Sequence, residues 1–268
     1  MYAFNYHRPK SVADAAALLA ANGDAKLMAG GQTLLPAMKL RLAGPSDVVD
    51  LVALRPELSA IRREGDRVVI GAMARHGEIA ESDVVREAIP ALAGMAAIVG
   101  DPAVRSRGTM GGSLANNDPA ADYPAAALAL GATIVTDRRE IAADDYFRGL
   151  FETALEEGEL ITAIAWPIPK RAGYEKFRNP ASRYAMVGVF VAERADGSVR
   201  VTVTGAGASG VFRSAPLEAA LAGGLAEGAL AGIAVPAEGL NSDIHADADY
   251  RAHLVGVMAR RAVKAATA

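Results

Sequence analysis

Apolar positions along the chain fall into short runs bounded by turn residues and longer alanine- and leucine-rich stretches, which predicts strands interleaved with helices. Residues 4–8 read as a short strand. Ser11 and Asp14 then mark a helix start, the aspartate standing where a capping box has Glu or Gln, and the helix is expected to stop at Asn22-Gly23. Residues 25–29 look like a buried strand, Gly30-Gly31 like a tight loop, and 34–42 like a helix whose Pro36 is tolerated only near its first turn. Residues 48–51 are a further strand, and 58–61 with 67–70 flank Gly65-Asp66 as a hairpin. Helices are expected at 75–81 and 90–99.

One stretch breaks this pattern. Residues 107–124, RGTMGGSLANNDPAADYP, hold a glycine pair, two asparagines and two aspartates, too polar and too specific for a core turn. Beyond them, 122–130 reads as helix, 133–136 as strand and 160–166 as strand closed by Pro167 and Pro169. The segment IPKRAGYEK, 168–176, is the best linker. Residues 185–194 and 199–204, joined by Asp196-Gly197, form a second hairpin, and a helix spans about 250–266. The last third is therefore a small α+β unit. No internal repeat or low-complexity tail is present.

Composition narrows the classes. With 268 residues, 51% of them hydrophobic, the chain has ample material for one large domain or two ordinary ones. Its 28 basic and 31 acidic residues give a net charge of -3 with no run of like charge, which speaks against nucleic acid as a partner. With no cysteine, the chain has no disulfide, thiolate metal site or iron–sulfur cluster of its own, so redox chemistry requires a bound cofactor. The amino terminus lacks the basic start and apolar core of a secretory signal, and the longest apolar stretch, 124–135, is too short to span a bilayer. The expected location is the cytoplasm.

The candidate chemistry lies in two glycine loops. A glycine pair at a strand end lets backbone amides approach an anion closely. In the first loop, LMAGGQTLLPAMKLR, Gln32 and Thr33 add side-chain donors just before a helix start; the bland alternative is a tight turn. In the second, Thr109, Met110, Gly111, Gly112 and Ser113 repeat the glycine pair with flanking hydroxyls. Asp122 is placed to accept hydrogen bonds from ribose hydroxyls. Two donor-rich loops and one acceptor fit a dinucleotide; the competing reading makes Asn116, Asn117, Asp118 and Asp122 turn and cap residues. Gly205, Gly207 and Gly210 spell GxGxxG after a strand, but Ser214-Ala215-Pro216 looks like the true helix start and no acidic strand end follows, so nucleotide binding there is rejected. His7, His76, His245 and His253 show no metal spacing and read as surface or cap residues.

Taken together, LMAGGQTLLPAMKLR, RSRGTMGGSLANNDPAADYPAA and the terminal SDIHADADYRAHLVGVMARRAV resemble, in order and over nearly the whole chain, the FAD-binding medium subunit of molybdenum hydroxylases, the family of xanthine dehydrogenase and aerobic carbon monoxide dehydrogenase. The resemblance implies an α+β chain: an FAD-binding fold of the vanillyl-alcohol-oxidase (PCMH) type over 1–173, in two α/β subdomains of about 1–55 and 56–173, and a C-terminal α+β domain over 174–268. It implies that Ala29, Gly30, Gly31, Gln32, Thr33, Leu34 and Leu35 wrap the FAD pyrophosphate from one side, and Thr109, Met110, Gly111, Gly112 and Ser113 from the other, with Asn116 nearby. Asp122 would hold the adenosine part, Val99 and Ile161 would line the cofactor, and Tyr184 would sit beside the isoalloxazine ring. No residue of the chain is expected to be catalytic in its own right or to bind a metal.

By the same resemblance, electrons come from a molybdenum cofactor in a large partner subunit through two [2Fe-2S] clusters in a small one, reach FAD here, and leave to NAD, a quinone or oxygen. The assembly implied is a dimer of heterotrimers. Thr33 and Met110 stand where serine and isoleucine are common, and Tyr184 resembles the carbon monoxide dehydrogenase branch. The competing functions are a free-standing flavin oxidase or reductase, and a relative that has lost FAD.

Overall fold

A computed structural model describes all 268 residues. The chain opens with β1 (Asn5–His7), α1 (Val12–Ala21), β2 (Lys26–Met28), α2 (Leu34–Lys39) and β3 (Asp47–Asp50), whose strands form a parallel sheet in the order β1-β3-β2. Ser11 caps α1 by accepting a hydrogen bond from the Asp14 amide, 3.0 Å. His7 lies 2.6 Å from Asp47, a carboxylate partner that sequence spacing hid because the two meet across the sheet.

A short helix α3 (Arg55–Leu58) leads into β4 (Ile61–Glu64) and β5 (Arg67–Gly71). The hairpin strand expected at 58–61 therefore starts only at Ile61. Leu58 belongs to the helix, whose formation is favoured by Pro56 in its first turn. Then come α4 (His76–Glu81), α5 (Asp83–Ala88), α6 (Pro90–Ala97) and α7 (Pro102–Arg105); α5, capped by Ser82, and α7, capped by Asp101, are short helices that the pattern missed. Within 107–124 the chain forms helix rather than loop, α8 (Met110–Asn116), capped by Thr109.

Next follow α9 (Tyr123–Leu130), β6 (Thr133–Thr136), β7 (Glu140–Ala142), α10 (Ala143–Tyr146), β8 (Phe147–Gly149), β9 (Glu152–Thr153) and β10 (Ile161–Pro167). The second sheet is antiparallel, in the order β4-β5-β10-β6-β7, with β10 at its centre. The proposed linker 168–176 is mostly strand: β11 (Arg171–Arg178) starts the third sheet, and only 168–170 connect. Residue 173, where the boundary was expected, lies inside β11. With β12 (Ala185–Glu193), β13 (Val199–Thr204) and β14 (Phe212–Arg213) it forms a four-stranded antiparallel sheet, followed by α11 (Ala215–Ala220) and α12 (Ala248–Thr267). The GxGxxG run precedes β14, not a helix, and a side chain at Gly205 would meet the Ala185 carbonyl at 2.1 Å.

Helix α9 joins the two larger sheets. Every residue from Tyr123 to Leu130 is buried, as expected of a helix that is apolar all round. It packs on β10 on one side and on β12 and β13 on the other. Thr202 and Arg200 on β13 donate to the Ala125 and Leu128 carbonyls at 2.7 Å each. The central apolar core accordingly runs from Ile70 and Ile164 through α9 to Tyr174 and Phe190.

A second buried polar knot ties the last loop to the third sheet. Arg251 of α12, 2% exposed, donates to the Met186 and Gly205 carbonyls at 2.6 and 3.1 Å and to Asp243 at 2.6 Å. Asp243 in turn accepts from the His245 and Ala246 amides. His245 thus precedes α12 and shares no helix face with His253; its ring meets that of Tyr184 edge-on, centroids 6.4 Å apart.

Candidate functional site

The two glycine loops face each other across a cavity of about 880 Å³, at the upper end of the range for small-ligand sites. Close backbone approach closes one wall. A side chain at Gly30 would sit 1.8 Å from the Arg107 carbonyl oxygen, and one at Gly111 would be 2.5 Å from Ala72. Gly31 takes φ +71°, a left-handed geometry that favours glycine.

The loops differ in chemistry. The amides of Ala29, Gly30, Gly31, Gln32, Thr33 and Leu34 make no hydrogen bond within the chain, and all six residues line the cavity. These residues are half-buried or exposed, and a run of free amides along a cavity wall suits an anion with several oxygens. In the second loop, Met110 and Gly111 donate to the Ala74 and Ala72 carbonyls, 3.0 and 2.9 Å, and Gly112 donates to Thr109 Oγ1, 3.2 Å. That loop offers hydroxyls and the unpaired side chain of Asn116 instead of free amides. This donor set fits the FAD pyrophosphate.

Of the other residues picked from sequence, Val99, Ser113, Asn116, Asp122, Ile161 and Tyr184 line the cavity together with Thr109, Gly111 and Gly112. Leu35 and Met110 do not. Leu35 packs where a Gly31 side chain would go, and Met110 is wholly buried behind the wall. Asn117 and Asp118 are turn and cap residues: Asn117 ends α8 at φ 42° and donates to the Gly149 and Glu152 carbonyls, both 2.8 Å, while Asp118 accepts from the Ala120 amide, 2.9 Å. Asp122 precedes α9 but caps nothing. Its carboxylate instead accepts from the Tyr174 hydroxyl and from Lys176 Nζ at 3.0 Å.

Among the polar residues of the lining, His76, Tyr123, Glu159 and Ser182 were not picked from sequence as cofactor contacts. His76 Nδ1 lies 3.2 Å from the Tyr123 hydroxyl. Burial, aided by the charge of Arg105, lowers its pKa from 6.5 to about 4, so the ring is neutral at pH 7. A depressed histidine pKa means that the unfolded chain binds the proton first, so stability falls with pH below 6.5 and levels off near 4. The expected loss between pH 7 and pH 5 is about 2 kcal/mol from this residue. Urea midpoints at the two pH values should therefore differ less in His76→Gln than in the unsubstituted chain.

Glu159 is held in the opposite sense. The Arg139 guanidinium, 2.9 Å away, lowers its carboxyl to about 2 against the effect of burial, and Thr136 adds a hydrogen bond of 2.8 Å.

Comparisons with known proteins place these features in a family. The family described as "FAD binding domain in molybdopterin dehydrogenase" matches residues 2–169. The carbon monoxide dehydrogenase medium chain of Hydrogenophaga pseudoflava is 38% identical, the alignment covering 99% of this chain and 97% of that protein. The nicotine 6-hydroxylase medium subunit of Paenarthrobacter nicotinovorans is also 38% identical, over 97% and 96%. Among solved structures, reconstituted CO dehydrogenase from Oligotropha carboxidovorans aligns with a TM-score of 0.89 at 37% identity, covering 99% of this chain and 98% of that one. The α+β class and the flavin-binding fold implied by the sequence motifs are those of these neighbours. No helix is long and apolar enough to cross a membrane.

Proposed function

The chain belongs to the FAD-binding family of molybdopterin dehydrogenases, as a medium subunit of the molybdenum hydroxylase type, and from that premise we propose how its residues serve electron transfer. The observation that carries the reading is the run of six unpaired amides at residues 29–34 facing Thr109 and Ser113 across the cavity. The amides would hold the pyrophosphate, with Ser113 and Asn116 opposite them. Asp122 would take ribose hydroxyls of the adenosine half, Val99 and Ile161 would pack on the cofactor, and Tyr184 would lie against the flavin ring.

When bound, FAD would accept electrons from [2Fe-2S] clusters of a small partner subunit, which draws them from a large molybdenum subunit, and would pass them to NAD, a quinone or oxygen. The protein's own part is to fix the cofactor and exclude water around it. His76 is neutral and Glu159 is tied to Arg139, so neither is poised to donate a proton near pH 7.

Two relatives of equal identity are named for carbon monoxide and for nicotine. That pairing supports a substrate choice made in the large subunit. It also favours a complex over a free-standing oxidase, and the motif resemblance extends the proposal to a dimer of heterotrimers in the cytoplasm. We further assign residues 1–55 and 56–170 to the two halves of the flavin domain and the remainder to a third unit, following the three larger sheets.

Co-expression with the genomic neighbours tests the proposal. The expected product is a yellow-brown complex with about one FAD per chain, read by absorbance and by release of FAD on denaturation. A purified complex with molybdenum and iron but no flavin overturns it.

A further inference from the structure

Asp122 lines the cavity from α9, yet both groups that bond its carboxylate come from β11 of the third sheet, outside the matched residues 2–169. The Lys176 side chain is fully buried, and Asp122 is its only ion-pair partner. Alternation along the strand puts Tyr174 and Lys176 on one face, turned to α9, with Glu175 on the other. Buried ion pairs are weak sources of stability compared with apolar side chains of the same volume, so packing alone gives little reason for this one. A carboxylate has about four lone-pair positions. Tyr174 and Lys176 occupy two, and no other donor of the chain takes the rest.

We propose that Lys176 and Tyr174 are positioning residues for the flavin: they hold Asp122 as a fixed acceptor for the ribose hydroxyls of the adenosine half. The inference rests on the FAD reading above. Lys176 also cancels the charge of Asp122, so the wall does not repel an anionic pyrophosphate. Burial holds the Asp122 carboxyl above its ordinary value, towards protonation, and Lys176 and Tyr174 offset part of that. The other titratable or charged groups around it are Tyr123, its neighbour on α9, and Arg178 at the end of β11. A protonated Asp122 would turn one acceptor oxygen into a donor, a change that the Lys176 ammonium and the Tyr174 hydroxyl oppose.

The test uses the purified complex, stripped of flavin and titrated with FAD between pH 6 and 9. In the unsubstituted complex affinity should be flat across this range. Lys176→Met should weaken FAD about tenfold or more, with a slope in pH as Asp122 titrates without its partner. Tyr174→Phe, which keeps the packing, should weaken FAD about threefold to tenfold while the flavin-free complex melts as before. If Lys176→Met does not assemble, Tyr174→Phe decides alone. Unchanged FAD affinity in the variants overturns the inference, as does a Lys176→Met weakening equal at every pH, the mark of a merely structural pair. An unsubstituted complex that takes up no FAD overturns the flavin reading and this inference with it.

Discussion

Replacing Gly30 by alanine is expected to give an assembled complex that retains molybdenum and iron but has lost about nine-tenths of its flavin or more. The added carbon would lie 1.8 Å from the Arg107 carbonyl oxygen and 2.7 Å from its carbon. Neither can yield easily, because Gly108 is pinned on both sides: its amide donates to the Val104 carbonyl at 2.8 Å and its carbonyl accepts from the His76 amide at 3.0 Å. The first loop must instead back away, and the amides of residues 29–34 leave their place opposite Ser113. Gly112→Ala provides the contrast. There the new carbon meets Thr109 Oγ1, 2.8 Å away, so the cap of α8 is lost but the first loop keeps its place, and flavin content should fall less than in Gly30→Ala. Gly223→Ala, with nothing within 4 Å, serves as the neutral control. Flavin-to-iron ratios by absorbance and metal analysis check all three, and full flavin in Gly30→Ala would show that the cradle lies elsewhere.

The second large effect is on stability. Arg251→Met should destabilise the chain by about 3 kcal/mol, because two buried carbonyls lose a charged donor and Asp243 loses its partner. For a chain of this length that corresponds to a drop of roughly 6–12 °C in the thermal midpoint, measured by calorimetry. Arg251→Lys keeps the charge but only one point of attachment, and should recover part of the loss. Because the loop released carries His245 against Tyr184, the flavin spectrum of the Met variant should change along with the midpoint. A midpoint within 2 °C of the unsubstituted protein would refute the structural role of Arg251.

Much of the frame was legible because periodicity and punctuation agree locally. Ser11, the Asp196-Gly197 turn and Pro216 in the first turn of α11 each mark an element boundary with a residue whose backbone or side-chain chemistry favours it. What was hidden depends on partners distant in sequence. Residues 107–124 looked like loop because their glycines and asparagines disfavour helix, yet a single good cap at Thr109 and two bonds to the 72–74 carbonyls hold α8. The linker was misplaced because Pro167, Pro169 and Gly173 outweighed the alternation of AGYEKF, the same alternation that puts Lys176 beside Tyr174.

The site divides in the same way. The glycine pairs announce close backbone approach and could be read directly. His76, Tyr123 and Lys176 could not, since a histidine and a lysine in isolation read as surface residues and only the fold removes them from water. Asp122 drew notice for its possible ribose contact, while the lysine that neutralises it stands 54 positions away.

The burial of α9 between two sheets bears on how such subunits can be recombined. Its alanines face β10 on one side and the C-terminal strands on the other, and Thr202 and Arg200 bond its carbonyls directly. A C-terminal unit grafted from another subunit would have to match the outward side of α9 atom for atom, or leave voids along the whole length of the helix. Successful exchange between subunits therefore requires α9 to travel with the C-terminal strands, although the sequence separates them by some forty residues of flavin domain.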